Sequence, residues 1–418
     1  MSESQPSGGR SGLMFIFVTL LIDIIGIGLI IPILPELVLE FTKQDPGTAA
    51  RMFGIMGALF TAMQFLCSPV QGAVSDQVGR KPVLLVSLLG SALSYGILAL
   101  AGSLPLLFLG RALAGAAGGS LTVATTYIVD VSAPEDRGKN FGLVGAAFGL
   151  GFILGPALGG LLGHFGPRLP FWVAGGLALA NALYGWLRVP ESHPLERRRA
   201  FTWKQANPIH AFALLVRDRR VTWIALALFF SWMSQSSLQN VWVLYTKARF
   251  GWDMAHTGTS LAVVGLGSAI VQGGLIRVLL PRLGDRRAVY FGLGLTLLAQ
   301  IGYGLATQGW MMYAIIAFAS LGGISGPAVQ AILSRQVDPR EQGAVQGAVT
   351  SLTSLTGIIS PLIAAPLFAH FSAKEAVPYV PGAPFFLAAL YLLVSMGLMV
   401  FVFRKVLPAT PEPAAASA

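Results

Sequence analysis

Two ionisable side chains lie inside stretches that are otherwise apolar, and their chemistry has to be explained first. Asp23 falls in the apolar run 13–34, about 15 Å from the start of a helix that rises 1.5 Å per residue. Arg111 falls in a second apolar run, 104–130. If both runs cross a bilayer, an unpartnered charge at its centre costs roughly 2.5–3.5 kcal/mol or more. Such residues are kept for a function or for a partner.

Asp23 and Arg111 are predicted to lie within about one helical turn of the same depth. A carboxylate beside a cation stays ionised, whereas desolvation favours its protonated form. If its surroundings alternate between these two conditions, Asp23 can bind and release a proton in each cycle. The alternative is a static Asp23–Arg111 pair that fixes one helix against another.

The sequence argues against other kinds of chemistry. It has no GxxxxGK[ST] phosphate loop, so ATP is not expected to drive this chain. Its five histidines are scattered over predicted loops and helix ends, without the spacing of a metal site. No Ser–His–Asp or Cys–His constellation is evident. We therefore expect neither an enzyme nor a metal centre, and no cofactor apart from the coupling proton.

Composition identifies the kind of element that must position these charges. Of the 418 residues, 54% are hydrophobic and 11% charged, whereas soluble domains carry about 25% charged residues. The fold class is an all-α membrane protein. Apolar stretches separated by charge and by Pro/Gly clusters predict twelve transmembrane helices, at 12–39, 52–72, 82–101, 104–130, 141–163, 170–189, 221–246, 257–280, 288–306, 309–334, 344–370 and 382–404.

The distribution of basic residues predicts the orientation. With the N-terminus inside, the inside loops hold 20 of the 28 Lys and Arg residues and the outside loops hold 6. This bias places both termini in the cytoplasm and explains the net charge of +10 without nucleic acid. The predicted organisation is a disordered tail (1–11), a six-helix bundle (12–189), a cytoplasmic linker (190–220), a second bundle (221–404) and a disordered tail (405–418).

The two predicted bundles are related in sequence. An ungapped offset of 205 residues aligns Gly79 with Gly284, Gly118 with Gly323 and Ser120 with Ser325. Two similar six-helix bundles in one chain predict a pseudo-twofold axis along the membrane normal, with a central cavity that opens alternately to each side.

The loop after the second predicted helix carries a recognisable motif, which runs from Gly72 to Pro82 as GxxSDxxGRKP. Gly79 permits a tight turn. With Arg111 in GRALAG and the helix-five sequence GFILGPALGG, this loop resembles the major facilitator superfamily. An ordinary positively charged turn is the alternative reading of the loop, and close helix packing is the alternative for the glycines.

The resemblance implies roles for several residues. Asp76 is expected to face the start of the helix 344–370, Arg80 to lie near Asp130, and Arg111 to take part in proton coupling. Breaking the loop contacts would favour the inward-open state. The complete sets are the gating motif Gly72, Asp76, Gly79, Arg80, Lys81 and Asp130, and the antiporter motif Gly151, Gly155, Pro156 and Gly159.

Within the superfamily, strings such as DIIGIGLIIPILP and VWVLYTKARFGW resemble the tetracycline/proton antiporters and related drug exporters. That branch carries further membrane acids and a histidine, whereas this chain has Ser94, Thr296 and Ser268 at the matching positions. These differences put recognition of a magnesium–tetracycline cation in doubt. They also predict that proton coupling depends almost entirely on Asp23.

Neutral polar and aromatic residues on the predicted helices are the candidates for substrate contact, although amides also join helices to each other. The candidates are Gln64, Trp232, Gln235, Gln239, Asn240, Gln272, Gln300 and Gln330. Such a cavity suits amphipathic, weakly charged molecules. The predicted function is proton-coupled drug export by a monomer in the cytoplasmic membrane. The alternatives are transport of a physiological metabolite, or a lipid scramblase, flippase or receptor without proton coupling.

Overall fold

The computed structural model describes residues 9–43, 45–133, 136–198, 200–203, 215, 217–337, 342–373 and 376–407, and the regular secondary structure of these residues is helical. The first half contains α1 (Gly9–Ile30), α2 (Leu34–Phe41), α3 (Pro46–Val78), α4 (Arg80–Leu100), α5 (Leu104–Ala117), α6 (Ser120–Val131), α7 (Arg137–Gly163) and α8 (Leu169–Arg188). The second half contains α9 (Arg219–Phe250), α10 (Met254–Ile270), α11 (Ile276–Leu305), α12 (Gly309–Ser320), α13 (Ser325–Ser334), α14 (Gln342–Phe371) and α15 (Ala383–Phe401).

Ten helical stretches among the described residues are long and apolar enough to cross a membrane. One of them, Met254–Leu305, has 52 residues, about twice the length that one crossing needs. A further helix, α8, has 20 residues. These lengths are consistent with the twelve expected crossings, since the long stretch contains two crossings joined at Gly284, whose backbone is not helical.

The predicted tails and linker are only partly described. Residues 1–8 and 408–418 lie outside the described residues, and α1 already begins at Gly9. In the predicted linker a short 3₁₀ turn forms at Leu195–Arg197, and most of 204–216 lies outside the description.

Turns and caps follow the chemistry of the sequence. Gly79 has φ of 107° and Gly284 has φ of 70°, and both lie at the same turn of the repeated bundle. A residue with a β-carbon would be strained at these angles. Asp45 caps α3 by accepting hydrogen bonds from Gly47 and Thr48. These bonds to Thr48 hold the pKa of Asp45 below its usual value.

Each half packs mainly upon itself, and the two halves meet through two principal helix pairs, α3 with α14 and α7 with α10. We call the end of the molecule that carries the turns at Arg80 and Arg286 the basic face. The other end is called the opposite face.

The two halves are in close contact towards the opposite face. A β-carbon on Gly54 of α3 would lie 2.5 Å from Cβ of Ala365 in α14. A β-carbon on Gly258 of α10 would lie 2.4 Å from the carbonyl oxygen of Pro156 in α7. Backbones approach this closely only where side chains are missing.

An ion pair reinforces this closure. Lys247 near the end of α9 donates to Glu36 of α2, so the pair joins the second half to the first. Glu40, one helical turn further along α2, interacts with Arg168 within its own half.

The same helix surfaces separate towards the basic face. On α7, a β-carbon at Gly142, Gly145 or Gly149 would have no atom within 4 Å. These glycines continue the stripe of α7 that packs against α10 further along. Gly347 of α14 likewise faces open space. A central cleft therefore opens on the basic face.

Close glycine contacts also seat α1 against α7. A β-carbon at Gly155 would lie 2.7 Å from Cα of Gly28, and one at Gly159 would lie 2.2 Å from the carbonyl oxygen of Leu29. Gly151 meets Ile24 in the same way. Because Asp23 precedes Ile24, this contact fixes the helix that carries the membrane carboxylate.

We expect Gly155→Ala to lower the thermal unfolding temperature of the protein in detergent by several degrees, because overpacking costs roughly 1–3 kcal/mol. Gly145→Ala is the matched control, since it adds the same methyl group to the same helix where nothing lies within 4 Å. Equal unfolding temperatures for the two variants would contradict the packing described for α1 and α7.

We expect Glu36→Gln to release the opposite face, because it removes the ion pair between the halves. Exposed pairs contribute about 0.2–1 kcal/mol, so transient opening should increase by a factor of roughly 1.4 to 5. The measurement is the rate at which an impermeant maleimide, added at the opposite face, labels Thr61→Cys in a Cys67→Ser background. Glu40→Gln, whose ion pair stays within one half, should leave this rate unchanged. An unaltered rate in Glu36→Gln would show that the Lys247–Glu36 ion pair does not hold the opposite face closed.

Candidate functional site

Asp23 is bound by a hydroxyl at a break in the neighbouring transmembrane segment. The predicted helix 104–130 is interrupted after Ala117, and α6 begins at Ser120. The Ser120 hydroxyl donates to Oδ2 of Asp23 at 2.6 Å. The first turn of a helix also presents unpaired N–H groups and a partial positive charge. The carboxylate of Asp23 therefore bonds to the first residue of the helix that follows the break.

Arg111 makes a different contact from the one predicted. Its guanidinium carbon lies 4.1 Å from the centre of the Phe60 ring on α3, in cation–π geometry. Its Nε atom is buried without a hydrogen-bond partner. Ion pairs among the described residues do not join Arg111 to Asp23. A static Asp23–Arg111 pair is therefore not formed in this conformation, where Ser120 contacts Asp23 and Phe60 contacts Arg111.

Tyr95 of α4 links the surroundings of the two charges. It is buried and lies within electrostatic reach of both Asp23 and Arg111. A β-carbon on Gly26, in the helix that carries Asp23, would lie 3.5 Å from the Tyr95 hydroxyl oxygen. The missing side chain at Gly26 leaves room for this phenol.

Arg80 organises the loop between α3 and α4 and is almost fully buried. Its Nε donates to Oδ2 of Asp130 at 3.0 Å, as the family resemblance implies. Its Nη1 lies 2.6 Å from Oδ1 of Asp76 and donates to the Ser75 hydroxyl. A buried guanidinium shared by two carboxylates is well neutralised.

Asp76 does not make the implied contact with the second half. Its described ion pair is with Arg80, four residues along the same loop. The first residues of α14 lie across the open cleft, and residues 338–341 just before them are outside the description. In this open conformation the loop therefore holds its charges within one half.

Glu191 is a functional candidate that the sequence motif did not reveal. Its carboxylate accepts hydrogen bonds from the backbone N–H groups of Arg80 (2.8 Å) and Lys81 (3.2 Å) at the start of α4. A β-carbon on Gly79 would lie 2.4 Å from Oε2 of Glu191. The start of the linker is thus fastened to the motif loop, and Gly79 is needed there for space as well as for its φ angle.

The two halves carry the same ion pair with its charges exchanged. Arg80 and Asp130 pair in the first half. At the offset of 205 residues these positions become Asp285 and Arg335, which also form an ion pair. The repeat retains the pairing position while reversing its polarity.

The predicted substrate contacts divide into three groups. Gln300 is buried and donates to the Ser234 hydroxyl at 3.3 Å, so it joins helices and its prediction as a cavity residue is wrong. Gln64 donates to the carbonyl oxygen of Gly118 at 3.3 Å, and Gln330 donates to Gln346.

The remaining candidates stay available for a ligand. Asn240 is half-buried and bonds to the carbonyl oxygen of Ser236 on its own helix, while its side-chain oxygen faces Gly57 in the other half. Trp232 is half-buried, whereas the side chains of Gln235, Gln239 and Gln272 are exposed.

The three positions at which the family resemblance implies ionisable groups are neutral here and mostly internally bonded. Ser94 is buried and donates to the carbonyl oxygen of Ser91. Thr296 donates to the carbonyl oxygen of Gly292, and Ser268 is half-buried. These side chains add no charge to the cleft.

Sequence reasoning missed four partners at the site, namely Phe60, Gln71, Ser120 and Glu191. Ser120 had a usable signal, because it follows a Gly-Gly pair and aligns with Ser325 in the repeat. The other three act through contacts between distant segments, for which their own sequence neighbourhoods give no signal.

Comparisons with known proteins agree with this architecture. The family model described as Major Facilitator Superfamily matches residues 16–361 and 282–418. The class C tetracycline resistance protein of Escherichia coli is 38% identical over 387 residues, covering 91% of this chain and 96% of the relative. The class B protein of Escherichia coli is 35% identical and covers 84% and 86%.

Solved structures give the same result. The human organic anion transporter MFSD10 is 26% identical with a TM-score of 0.71, covering 94% of this chain and all of the other. The nucleoside transporter NupG has a TM-score of 0.74 at 12% identity, with 93% and 98% coverage, which supports the fold alone. The chain therefore belongs to the Major Facilitator Superfamily of membrane transporters.

Proposed function

We propose that this chain exports amphipathic, tetracycline-like compounds in exchange for protons. The observation that carries the proposal is the Asp23 carboxylate, held by Ser120 at a broken helix in a bundle whose cleft opens on one face. The similarity to tetracycline resistance proteins supports drugs of this kind as substrates.

We further propose that the basic face is cytoplasmic and that both termini lie on that side of the inner membrane. The excess of Lys and Arg in the loops of this face supports the orientation. The cleft then opens to the cytoplasm, from which an exporter takes its substrate. The bundle encloses its own cleft, so we expect a monomer to suffice.

Proton exchange at Asp23 follows from its surroundings. When the cleft is open, the carboxylate is stabilised by the Ser120 hydroxyl and the N-terminus of α6. Closure of the cleft without substrate excludes water, which favours the protonated form. Protons that enter from the outside load Asp23, and substrate entering from the cytoplasm promotes their release. Arg111, with an unpartnered Nε near this site, can take the carboxylate as an ion-pair partner in another conformation.

Transport of an organic anion is the second candidate function, and Arg111 favours it. A buried guanidinium that lacks an ion-pair partner among the described residues can attract an anionic group. The positions Ser94, Thr296 and Ser268 supply no acid to repel an anion or to hold a magnesium chelate. The likeness to a human organic anion transporter points in the same direction. The contacts among the described residues do not favour a scramblase, flippase or receptor.

We expect Asp23→Asn to reduce substrate-dependent proton movement at least tenfold, because a neutral amide cannot carry the proton. The measurement is the internal pH of proteoliposomes after substrate addition, together with uptake of labelled substrate. Asp23→Glu should restore part of the coupling. Glu40→Gln, which removes an exposed carboxylate from the opposite face, should behave as the wild type. Near-normal coupling in Asp23→Asn would overturn the proposed role.

A susceptibility panel in an efflux-deficient host separates the two candidate functions. Drug export predicts raised resistance to tetracyclines or other amphipathic compounds, abolished by Asp23→Asn. Organic anion transport predicts protection against anionic compounds instead, and loss of that protection in Arg111→Gln. Unchanged susceptibility to every compound in the panel would count against both functions.

A further inference from the structure

The break between α5 and α6 leaves backbone carbonyls of α5 without helical partners. In a membrane each unpaired backbone group costs several kcal/mol. Two amide side chains of α3 compensate for the break. Gln71 Nε2 donates to the carbonyl oxygen of Ala116, and Gln64 Nε2 donates to that of Gly118 at 3.3 Å. The break is therefore supported from the neighbouring helix.

Gly118 and Gly119 leave the space that the side chains of Gln64 and Gln71 occupy at the break. A β-carbon on Gly119 would lie 1.8 Å from Oε1 of Gln71, and one on Gly118 would lie 3.0 Å from Nε2 of Gln64. The Ser87 hydroxyl of α4 donates to Oε1 of Gln71 at 2.9 Å. Because Ser87 supplies the donor, the amide nitrogen of Gln71 is turned towards the broken helix.

The supported glycines lie directly before α6. Ser120 opens that helix and donates its hydroxyl to Asp23. The bonds from Gln64 and Gln71 therefore hold the chain next to the residue that contacts the carboxylate.

The second half provides an internal comparison. It breaks at the same register, since a 3₁₀ turn at Leu321–Ile324 precedes Ser325. There the Ser325 hydroxyl donates to the carbonyl oxygen of Gly322 at 3.0 Å. At the offset of 205 residues, Asp23 becomes Leu228 and Gln71 becomes Ile276. The break is thus common to both halves, whereas the acid and its amide support occur together in the first.

We propose that Gln71, oriented by Ser87, is a positioning residue that holds the α5–α6 break so that Ser120 and the N-terminus of α6 meet Asp23. This arrangement sets the proton affinity of Asp23. The inference deepens the proposed function and rests on proton coupling at that carboxylate. Gln71 acts through Ser120 and requires no contact with the substrate.

The other titratable groups and the neutral residues packed around Asp23 can be named. Tyr95 of α4 and Arg111 of α5 lie nearby and carry the other titratable functions of this site. The helices α7 and α8 approach α1 through neutral residues, with Gly151 against Ile24 and Asn181 bonded to the carbonyl oxygen of Thr19. Loss of Ser120 therefore changes the hydrogen bonding of Asp23 while these neighbours remain.

The test compares the pH dependence of transport in proteoliposomes for the wild type, Gln71→Met and Ser120→Ala. Each variant weakens or removes a hydrogen bond to the charged form of Asp23, so we expect the pH midpoint to rise by roughly one to two units in both. Ser87→Ala should shift it in the same direction by a smaller amount. Ser325→Ala removes the equivalent hydroxyl from the second half and should leave the midpoint unchanged.

The outcomes separate this inference from the proposed function. If the wild type moves substrate without protons, the proposed function fails and the inference fails with it. If Asp23→Asn abolishes coupling while Gln71→Met and Ser120→Ala keep the wild-type midpoint, the positioning role alone is refuted. Should Gln71→Met fail to fold, as judged by its thermal unfolding in detergent, Ser120→Ala and Ser87→Ala decide the question. An equal shift in Ser325→Ala would also refute the positioning role, since it would indicate a general effect of loosening a broken helix.

Discussion

A carboxylate inside a bilayer needs hydrogen-bond donors from the protein, because the lipid hydrocarbon has none. In this chain the hydroxyl of Ser120, the first residue of α6, donates to Asp23. Ser120 opens a helix because the transmembrane segment is broken, and the break in turn exposes carbonyls that Gln64 and Gln71 satisfy. One buried carboxylate thus accounts for polar residues on two neighbouring segments, α3 and α6.

The internal repeat separates what the fold needs from what the chemistry needs. Both halves have a positive-φ glycine at the same turn, Gly79 and Gly284, and a helix break before an aligned serine. Both also have an ion pair beneath that turn, although its charges are exchanged between the halves. Because both halves share these features, we assign them to the fold and not to the chemistry of the site. Asp23, Arg111 and the supporting glutamines have no polar counterparts at the offset of 205 residues, so the ionic chemistry is concentrated in the first half.

Much of the fold could be predicted from the sequence because the bilayer imposes length and apolarity on each crossing. The turn at Gly79 and the Arg80–Asp130 contact were also predictable, since the motif has a strong resemblance to a known family. Whether Asp23 and Arg111 meet in this conformation was not predictable, because depth along a helix gives no information on rotation about its axis. The prediction that Gln300 lines the cavity was wrong for the same reason. An amide in an apolar helix can face either a cavity or a neighbouring helix, and Gln300 faces a helix. Glu191 and Gln71 depend on long-range contacts that a single sequence does not contain.

The glycine stripes of α7 and α14 explain how the same surfaces can serve two conformations. Towards the opposite face they allow backbones to meet, as at Gly54 and Gly258. Towards the basic face Gly145 and Gly347 occupy the same stripes and touch nothing. A large side chain at these positions would either fill the cleft or prevent its closure. Because a glycine exposes little surface when the halves separate, opening one face costs little packing energy, and closing the other returns a similar amount. The two conformations can therefore lie close in free energy, as alternating access requires.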